Sequence, residues 1–310
     1  MKQKTTRRPE GRINIFSRHS PGGILPHKLL IFFLLLAVQL TTPAFLVSCS
    51  IMEDIFKTDD IRYSPIAFNA GKEIEVDSLD IFIYRDEEIR KLEYHVRLPY
   101  RGSTGKTGTD TLVLTPGGKV AVAAANLGKR PDASKLESYE TLELMTIDYE
   151  DDNPERPVMS GMTVFTAGEK CEIELRPLLC TIILSEVSNN LSGYTRLEDP
   201  RCYLESACKS AELFRETGFR PSEFIGKTPE VPLPCDVGLL TQYPDSHLYC
   251  YPNDSQESTI GTPRTSFVLE CEIRGKTCRF STELPALTRA CTHTVELTVN
   301  SEKDCSFKIF

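Results

Sequence analysis

The sequence predicts an all-β protein built from antiparallel β-sandwich domains. Apolar and polar residues alternate with period two through most of the chain, which is typical of strands that bury one face. The strand-like stretches are short, and Gly, Pro or acidic turns separate them. Helical stretches do not alternate regularly with these strands, which argues against a parallel α/β sheet and in favour of packed antiparallel sheets.

Two strand pairs are predicted early in the chain. Leu79–Tyr84 is apolar on both faces, which indicates a buried strand, and the half-exposed strand Leu92–Leu98 pairs back on it after an acidic turn. A Pro-Gly-Gly turn at residues 116–118 then joins Asp110–Leu114 to Lys119–Ala125 as a second pair.

Two helices and seven further strands complete the prediction. Ala133–Met145 is the most helix-like stretch of the first part of the chain, and Ser206–Thr217 is predicted as a short, weakly amphipathic helix. The strands are Met162–Phe165, Glu172–Leu175, Leu178–Ser185, His247–Tyr251, Ser266–Ile273, Thr277–Ser281 and His293–Val299. A boundary between residues 175 and 176 gives two domains of similar size, residues 61–175 and 176–310.

The N-terminus has the features of a lipoprotein signal. A basic leader precedes the apolar core Leu29–Leu40, which is about half of the roughly 20 residues that cross a bilayer as a helix. Small residues before Cys49 resemble a bacterial lipobox, with cleavage between Ser48 and Cys49. We expect residues 1–48 to be a signal peptide, Cys49 to carry the lipid and residues 49–60 to be a polar tether. The alternatives are a soluble cleaved precursor or an uncleaved signal anchor.

The charge and the cysteine content limit the classes of partner and ligand that the chain can bind. Without residues 1–48 the chain has 29 basic and 43 acidic residues, a balance that opposes phosphate backbones and argues against a nucleic-acid partner. Ten cysteines remain after Cys49, all beyond residue 170. Their even number in an exported chain permits disulfides, and buried thiols are the alternative. Their spacing does not suit zinc, and we expect no metal or cofactor.

No catalytic residue is predicted. Cys291 and His293 share a strand face, but no oxyanion or orienting motif surrounds them. The acidic run 148–152 lacks the ligand spacing of a calcium loop and is interpreted as a solvated turn. The stretch Arg101–Thr109 echoes a phosphate-binding loop, but Tyr100 occupies the place of its first glycine, so a polar loop is predicted.

Several stretches, taken in order, resemble the fimbrillin-type lipoproteins of Bacteroidetes, which are the subunits of type V pili. Besides the lipobox, the stretches that carry the resemblance are Leu79–Tyr84, Pro116–Asn126, Arg176–Ile183, Leu248–Asn253, Thr262–Thr265, Leu284–Arg289 and Thr292–Val299. They cover nearly all of the chain after the signal. The cysteine content departs from the family pattern.

The resemblance implies two tandem transthyretin-like antiparallel β-sandwich domains and a structural role without enzymatic activity. It is closest to the anchor subunits, and it implies an anchor or accessory subunit of a type V fimbria with a role in adhesion. Such a subunit is held by its lipid, including palmitate, in the outer membrane at the cell surface, and contacts fimbrial stalk subunits. The alternatives are a surface lipoprotein that binds glycan or another ligand and, more remotely, a periplasmic hydrolase.

The C-terminal segment is a candidate donor strand for assembly. It alternates in polarity and ends on an aromatic residue, a pattern suited to adding a strand to the exposed sheet edge of another chain. The segment consists of Ser306, Phe307, Lys308, Ile309 and Phe310. The alternative is that it pairs within its own sheet, since a terminus tied into a sheet is commonly ordered.

Overall fold

A computed structural model describes residues 61–310 except 71–73, 105, 130, 133–134, 216–217, 220 and 222, and describes residues 99–104 and 106–110 by their backbone alone. The predicted signal peptide, its cleavage point Ser48–Cys49, the lipidation site Cys49 and the tether lie outside these residues. Strands dominate the described part, which confirms the all-β class.

Two sheets form from the residues before 178, which we call the first half. Its strands are β1 (Arg62–Asn69), β2 (Glu75–Arg85), β3 (Leu92–Thr104), β4 (Lys106–Leu114), β5 (Gly118–Ala125), β6 (Thr146–Asp148), β7 (Met159–Thr166), β8 (Cys171–Glu174) and β9 (Arg176–Pro177). The order is β4-β1-β8 in one sheet and β3-β2-β5-β7-β9 in the other. The β1–β8 pairing is parallel, and the remaining pairings in these two sheets are antiparallel.

Strand β2 has apolar residues on both of its faces, and each face packs in a different core cluster. Leu79, Ile81 and Ile83 contribute to a core cluster that also contains side chains of β1, β4 and β8 from the opposite sheet. Phe82 and Tyr84 point to the other face and belong to a different cluster. Strand β2 is therefore buried on both faces, as its sequence predicts.

The second half forms two four-stranded sheets. Its strands are β10 (Cys180–Asn189), β11 (Glu198–Glu205), β12 (Ala207–Cys208), β13 (Ser210–Glu212), β14 (Phe224–Ile225), β15 (Val231–Pro232), β16 (Ser246–Cys250), β17 (Ser266–Ile273), β18 (Lys276–Glu283), β19 (Thr292–Ser301) and β20 (Asp304–Ile309). The orders are β16-β10-β19-β20 and β15-β11-β17-β18, and one core cluster contains side chains from both sheets. Strands β10 and β19 are parallel.

A third cluster joins the two halves, and we call it the bridging cluster. It packs the outer face of the five-stranded sheet against residues of the second half. Its members are Phe82, Tyr84, Val120, Val122, Ala124, Leu127, Leu136, Tyr139, Leu142, Ile147, Val158, Leu178, Leu179, Cys208, Ala211, Leu213, Phe214 and Tyr251. Several of these residues lie in the short strand pairs β6–β13 and β12–β14.

Arg289 adds a polar link between the halves. Its guanidinium is 2% exposed and donates to the carbonyl and hydroxyl oxygens of Ser160 in β7, each at 2.8 Å, and to the carbonyl of Arg176 in β9 at 2.7 Å. It also donates to the carbonyl of Pro177 at 3.3 Å. A loop of the second half is thus tied to two strands of the first. The predicted division at residue 175/176 stays a prediction.

Three sequence predictions about local structure were wrong. Strands β4 and β5 do not pair around the turn at residues 116–118, because β4 pairs with β1 and β5 pairs with β2 and β7, in different sheets. In the predicted loop Arg101–Thr109, residues 101–104 and 106–109 are strand, since β3 and β4 extend into it. The predicted helix Ser206–Thr217 contains strands β12 and β13.

The helix predicted over Ala133–Met145 is much shorter. Helix α1 covers Tyr139–Glu143, and the Ser138 hydroxyl caps it by accepting the N–H of Thr141 at 3.3 Å. Tyr139 and Leu142 are its buried residues and both join the bridging cluster. Within the part of the chain that the structure describes, helices are too short and too polar to cross a membrane.

A buried ion pair joins Glu93, near the start of β3, to Lys119 in β5. The Lys119 ammonium is 2.8 Å from a carboxylate oxygen of Glu93 and is 1% exposed. The other Glu93 oxygen accepts the N–H of Thr115 at 2.6 Å. Burial alone raises the pKa of Glu93, but the hydrogen bonds from Lys119 and Thr115 outweigh it and hold that pKa below its ordinary value.

Candidate functional site

The C-terminal strand β20 is the feature of the described residues that best suits contact with another chain. Among the described strands it pairs only with β19, and it forms one edge of its four-stranded sheet. Beyond it, the N–H and carbonyl of Phe310 form hydrogen bonds with Thr294 at 3.0 and 3.1 Å. Because its other side has no neighbouring strand in the sheet, β20 presents a row of backbone groups to which an extended segment can pair.

The side chains of β20 are half-buried at best. Phe307 and Ile309 pack partly against the core of the second half, and the Phe307 ring meets Phe267 edge-on with centroids 6.3 Å apart. Lys308 is exposed, and Phe310 is 66% exposed. The strand is therefore held by one hydrogen-bonded neighbour and by three partly covered side chains, Cys305 being the third.

The structure places the five predicted donor residues together, four in β20 and Phe310 directly after it. They pair within their own sheet, with Phe307 opposite Leu297 and Lys308 opposite Glu296. Their transfer to another chain stays a prediction.

Cys291 and His293 contact different groups, which gives no support to a nucleophile and base pair. A contact with the Cys180 thiol, together with burial, raises the pKa of Cys291, which keeps its thiol protonated at neutral pH. The His293 ring nitrogen Nδ1 instead lies 3.2 Å from the Phe310 carbonyl oxygen. The histidine thus belongs to the anchoring of the C-terminus.

The acidic run 148–152 is only partly a solvated turn. Asp148, Glu150 and Asp151 are exposed. Asp152 is half-buried and accepts hydrogen bonds from the Tyr251 hydroxyl at 3.1 Å and from the Val158 N–H at 2.9 Å. Burial raises the pKa of this carboxyl. Among the residues with described positions, none of the His, Cys, Asp and Glu groups is arranged to hold a metal ion.

The ten cysteines carry free thiols in the structure, and seven of them are buried. Cys180 in β10 lies directly opposite Cys250 in β16, and Cys271 in β17 lies opposite Cys278 in β18. Cys235 is exposed. The two alternatives were disulfides and buried thiols, and the structure has free thiols that are mostly buried.

A cleft that the sequence did not reveal lies between two loops of the second half. Residues 190–197 connect β10 to β11 and form loop A, and residues 233–245 connect β15 to β16 and form loop B. The cleft has a volume of about 380 Å³ and is lined by Tyr194, Arg196, Asp236, Leu240 and other residues of these loops. The consecutive apolar residues 239 and 240 in a turn-rich stretch were the one available signal.

No family model matches the sequence, and no curated protein is a significant sequence match. Solved structures do match. A protein from Parabacteroides distasonis named for cell adhesion aligns with a TM-score of 0.63 at 10% identity over 80% of this chain and 96% of that one. A fimbrilin (FimA) from Porphyromonas gingivalis gives 0.59 at 10% identity, with the same coverage of both chains. The C-terminally truncated tip fimbrial protein Mfa3 from Porphyromonas gingivalis gives 0.54 at 14% identity over 80% and 99%.

These matches confirm the fimbrillin-like resemblance at the level of the fold. The aligned fraction of this chain corresponds to nearly its whole described part, so both halves take part in the match. The sequence identities are too low to carry over the activity of any one neighbour.

Proposed function

We propose that this chain, which has the fold of fimbrilins, is a lipid-anchored anchor or accessory subunit of a type V fimbria. Its role is structural and non-enzymatic. The observation that carries the proposal is the match to a fimbrilin over 80% of this chain and 96% of that protein. A chance resemblance of one sandwich would cover about half of the described residues, whereas this match requires both halves with their connections.

The membrane attachment in this proposal rests on Cys49. A tether of residues 49–60 reaches at most about 40 Å when fully extended, so a lipidated Cys49 keeps the folded part within that distance of the outer membrane. Replacing this residue, as Cys49→Ala, is expected to release the protein from the outer membrane or to mislocalise it, while its circular dichroism stays unchanged. An unchanged membrane fraction would refute the lipid anchor.

The contact with fimbrial stalk subunits is assigned to β20. Two modes are distinguishable: the strand leaves its sheet and inserts into a partner, or it stays and accepts a strand at its free edge. Deletion of residues 304–310 removes both modes, and a truncated protein that still binds its partner subunit would exclude β20. Because Phe307 and Ile309 pack on the core, this deletion needs a thermal unfolding control.

A cross-strand lock separates the two modes without removing the strand. Glu296 and Lys308 are opposite each other, and their charged groups lie 3.9 Å apart, so both side chains are on the same face. The double variant Glu296→Cys and Lys308→Cys places two thiols at directly opposed positions, which suits a disulfide. If β20 is a donor strand, the oxidised variant loses the partner and the reduced one keeps it. Equal binding in both states would favour addition at the free edge.

A direct test of the function is co-isolation. Antibody capture of the full-length chain from outer membranes is expected to recover other fimbrial subunits in stable proportion. Recovery of the chain alone as a monomer would contradict the fimbrial proposal.

A further inference from the structure

We infer that the cleft between loops A and B is a binding site for a neutral saccharide. The inference does not depend on fimbrial assembly, since a surface protein outside a fimbria would carry the same site. It starts from an unusual concentration of exposed apolar side chains. Three of the residues that line it are largely exposed: Tyr194 is 85% exposed, Leu239 62% and Leu240 77%. Exposed large apolar side chains that cluster in this way mark contact sites more often than isolated ones do.

The cleft lies at the end of the second half that is remote from the first. Strand β10 starts beside the bridging cluster, at Leu178 and Leu179, and runs to Asn189, where loop A begins. Strand β19 runs parallel to β10 and starts just after Arg289, which is tied to the first half. Loops A and B are therefore at the free end of the second half, accessible to a ligand.

The two loops are fixed to each other beneath the cleft. The side-chain amide of Asn189, which is 9% exposed, donates to the carbonyl of Thr195 in loop A at 2.8 Å and to that of Val237 in loop B at 3.1 Å. Leu197 and Val237 are fully buried and exchange two backbone hydrogen bonds of 3.0 Å. The cleft is thus preorganised, which lowers the cost of ordering it when a ligand binds.

The lining matches the chemistry of a sugar ring. A pyranose has an apolar C–H face that packs on an aromatic ring and a rim of hydroxyls that donate and accept hydrogen bonds. Tyr194 supplies the ring. Arg196 supplies donors, and no hydrogen bond or ion pair of its guanidinium is present among the described residues. Asp236 accepts the N–H of Asp199 with one oxygen at 3.1 Å and keeps further acceptor capacity, and Gln242 offers an amide.

Size and charge select the class of ligand. A volume of about 380 Å³ is near the lower end of small-molecule sites, which suits one or two sugar rings rather than a protein surface. The formal charges of Arg196 and Asp236 cancel, so the lining favours a neutral sugar over an acidic one.

The test measures binding of the full-length chain, purified in detergent, to maltose, lactose and N-acetyllactosamine, with sialyllactose and digalacturonic acid as acidic counterparts. We expect binding to at least one neutral probe. The variant Tyr194→Asn removes the ring and keeps a residue that tolerates the backbone φ of 59° found there. It is expected to weaken binding about tenfold, and Arg196→Gln about fivefold, by isothermal titration calorimetry.

Tyr63→Ser is the control, because Tyr63 is also a largely exposed tyrosine, at 65%, and lies on β1 in the first half. It is expected to change the affinity by less than about twofold. Unchanged thermal unfolding of the Tyr194 variant establishes that its loops are intact. Binding to no neutral probe, binding to the acidic probes alone, or equal affinities of wild type and the Tyr194 variant would each overturn the inference. A Tyr194 variant that loses a protein partner, with no probe bound by the wild type, would overturn it in favour of a protein-docking surface.

Discussion

Replacing Arg289 by methionine tests how the second half is fastened to the first. The change Arg289→Met keeps most of the apolar stem and removes the guanidinium that donates to Ser160, Arg176 and Pro177. Removing the donor of a buried hydrogen bond lowers the free energy of unfolding by about 1–3 kcal/mol for each acceptor left unsatisfied. The three carbonyls also take part in or adjoin strand pairing, so we expect a total loss of about 3 kcal/mol in the free energy of unfolding.

The loss is measurable in two ways. Urea unfolding gives the free energy directly, and calorimetry is expected to show a melting temperature lower by about 6–12 °C for a chain of this size. The control is Arg274→Met, because Arg274 is 57% exposed and its guanidinium is 3.5 Å from Glu302. That exposed pair contributes less than about 1 kcal/mol. A loss below about 1 kcal/mol for the Arg289 variant, equal to that of the control, would refute the assigned role of this link.

Three further predictions concern packing, pH and thiol chemistry. Gly161→Ala places a Cβ where it overlaps the carbonyl oxygen of Glu174, and urea unfolding is expected to show a loss of about 1–3 kcal/mol. The pKa of Glu93 is lowered in the folded state, so its contribution to stability is present above the unfolded value near 4.5 and disappears as the pH falls through the folded value. A pH series of unfolding free energies should therefore fall less steeply below about pH 4.5 for Glu93→Gln than for wild type. A thiol reagent at pH 8 should modify Cys235 rapidly and the other nine described cysteines slowly, because seven are buried and the remaining two have raised pKa values.

Each of these has a control or a contradicting result. Gly128→Ala is the matched change for Gly161, since nothing lies within 4 Å of the Cβ it adds, and equal losses in both variants would refute the clash. Parallel pH profiles for wild type and the Glu93 variant would contradict the assigned pKa shift. Rapid reaction of several thiols in the native state would contradict the burial, and Cys235→Ser should abolish the fast phase.

Most of the predicted strands are strands in the structure, and the clearest of them are those whose burial is regular. Leu79–Tyr84 and Ser266–Ile273 bury alternate or continuous apolar positions, and the structure has strands there with the predicted β2–β3 pairing. Their pattern depends on the strand itself and is visible in the sequence.

Pairing and tertiary burial explain the predictions that were wrong. A Pro-Gly-Gly turn at residues 116–118 specifies a reversal of the chain but not that both strands enter one sheet, and here they enter two. Residues 207–213 have helix-like spacing, yet they pair with β6 and β14 and pack in the bridging cluster. Such long-range contacts override local propensity.

The candidate sites differ in how far the sequence predicts them. The alternation in residues 306–310 locates β20, although its pairing with β19 depends on the register of the sheet. The cleft is not predictable in the same way, because Tyr194 and Leu240 are far apart in the chain and meet only when Asn189 joins loops A and B. The link through Arg289 depends likewise on distant backbone carbonyls, which leave no residue pattern.

Immunogold electron microscopy of whole cells, with an antibody against residues 61–310, tests the fimbrial role most directly. We expect label on fimbriae, concentrated where they meet the outer membrane if the chain is an anchor subunit, and loss of this label from the cell surface in the Cys49→Ala variant. Label spread over the cell surface with none on fimbriae, in cells that carry them, would contradict the proposed role.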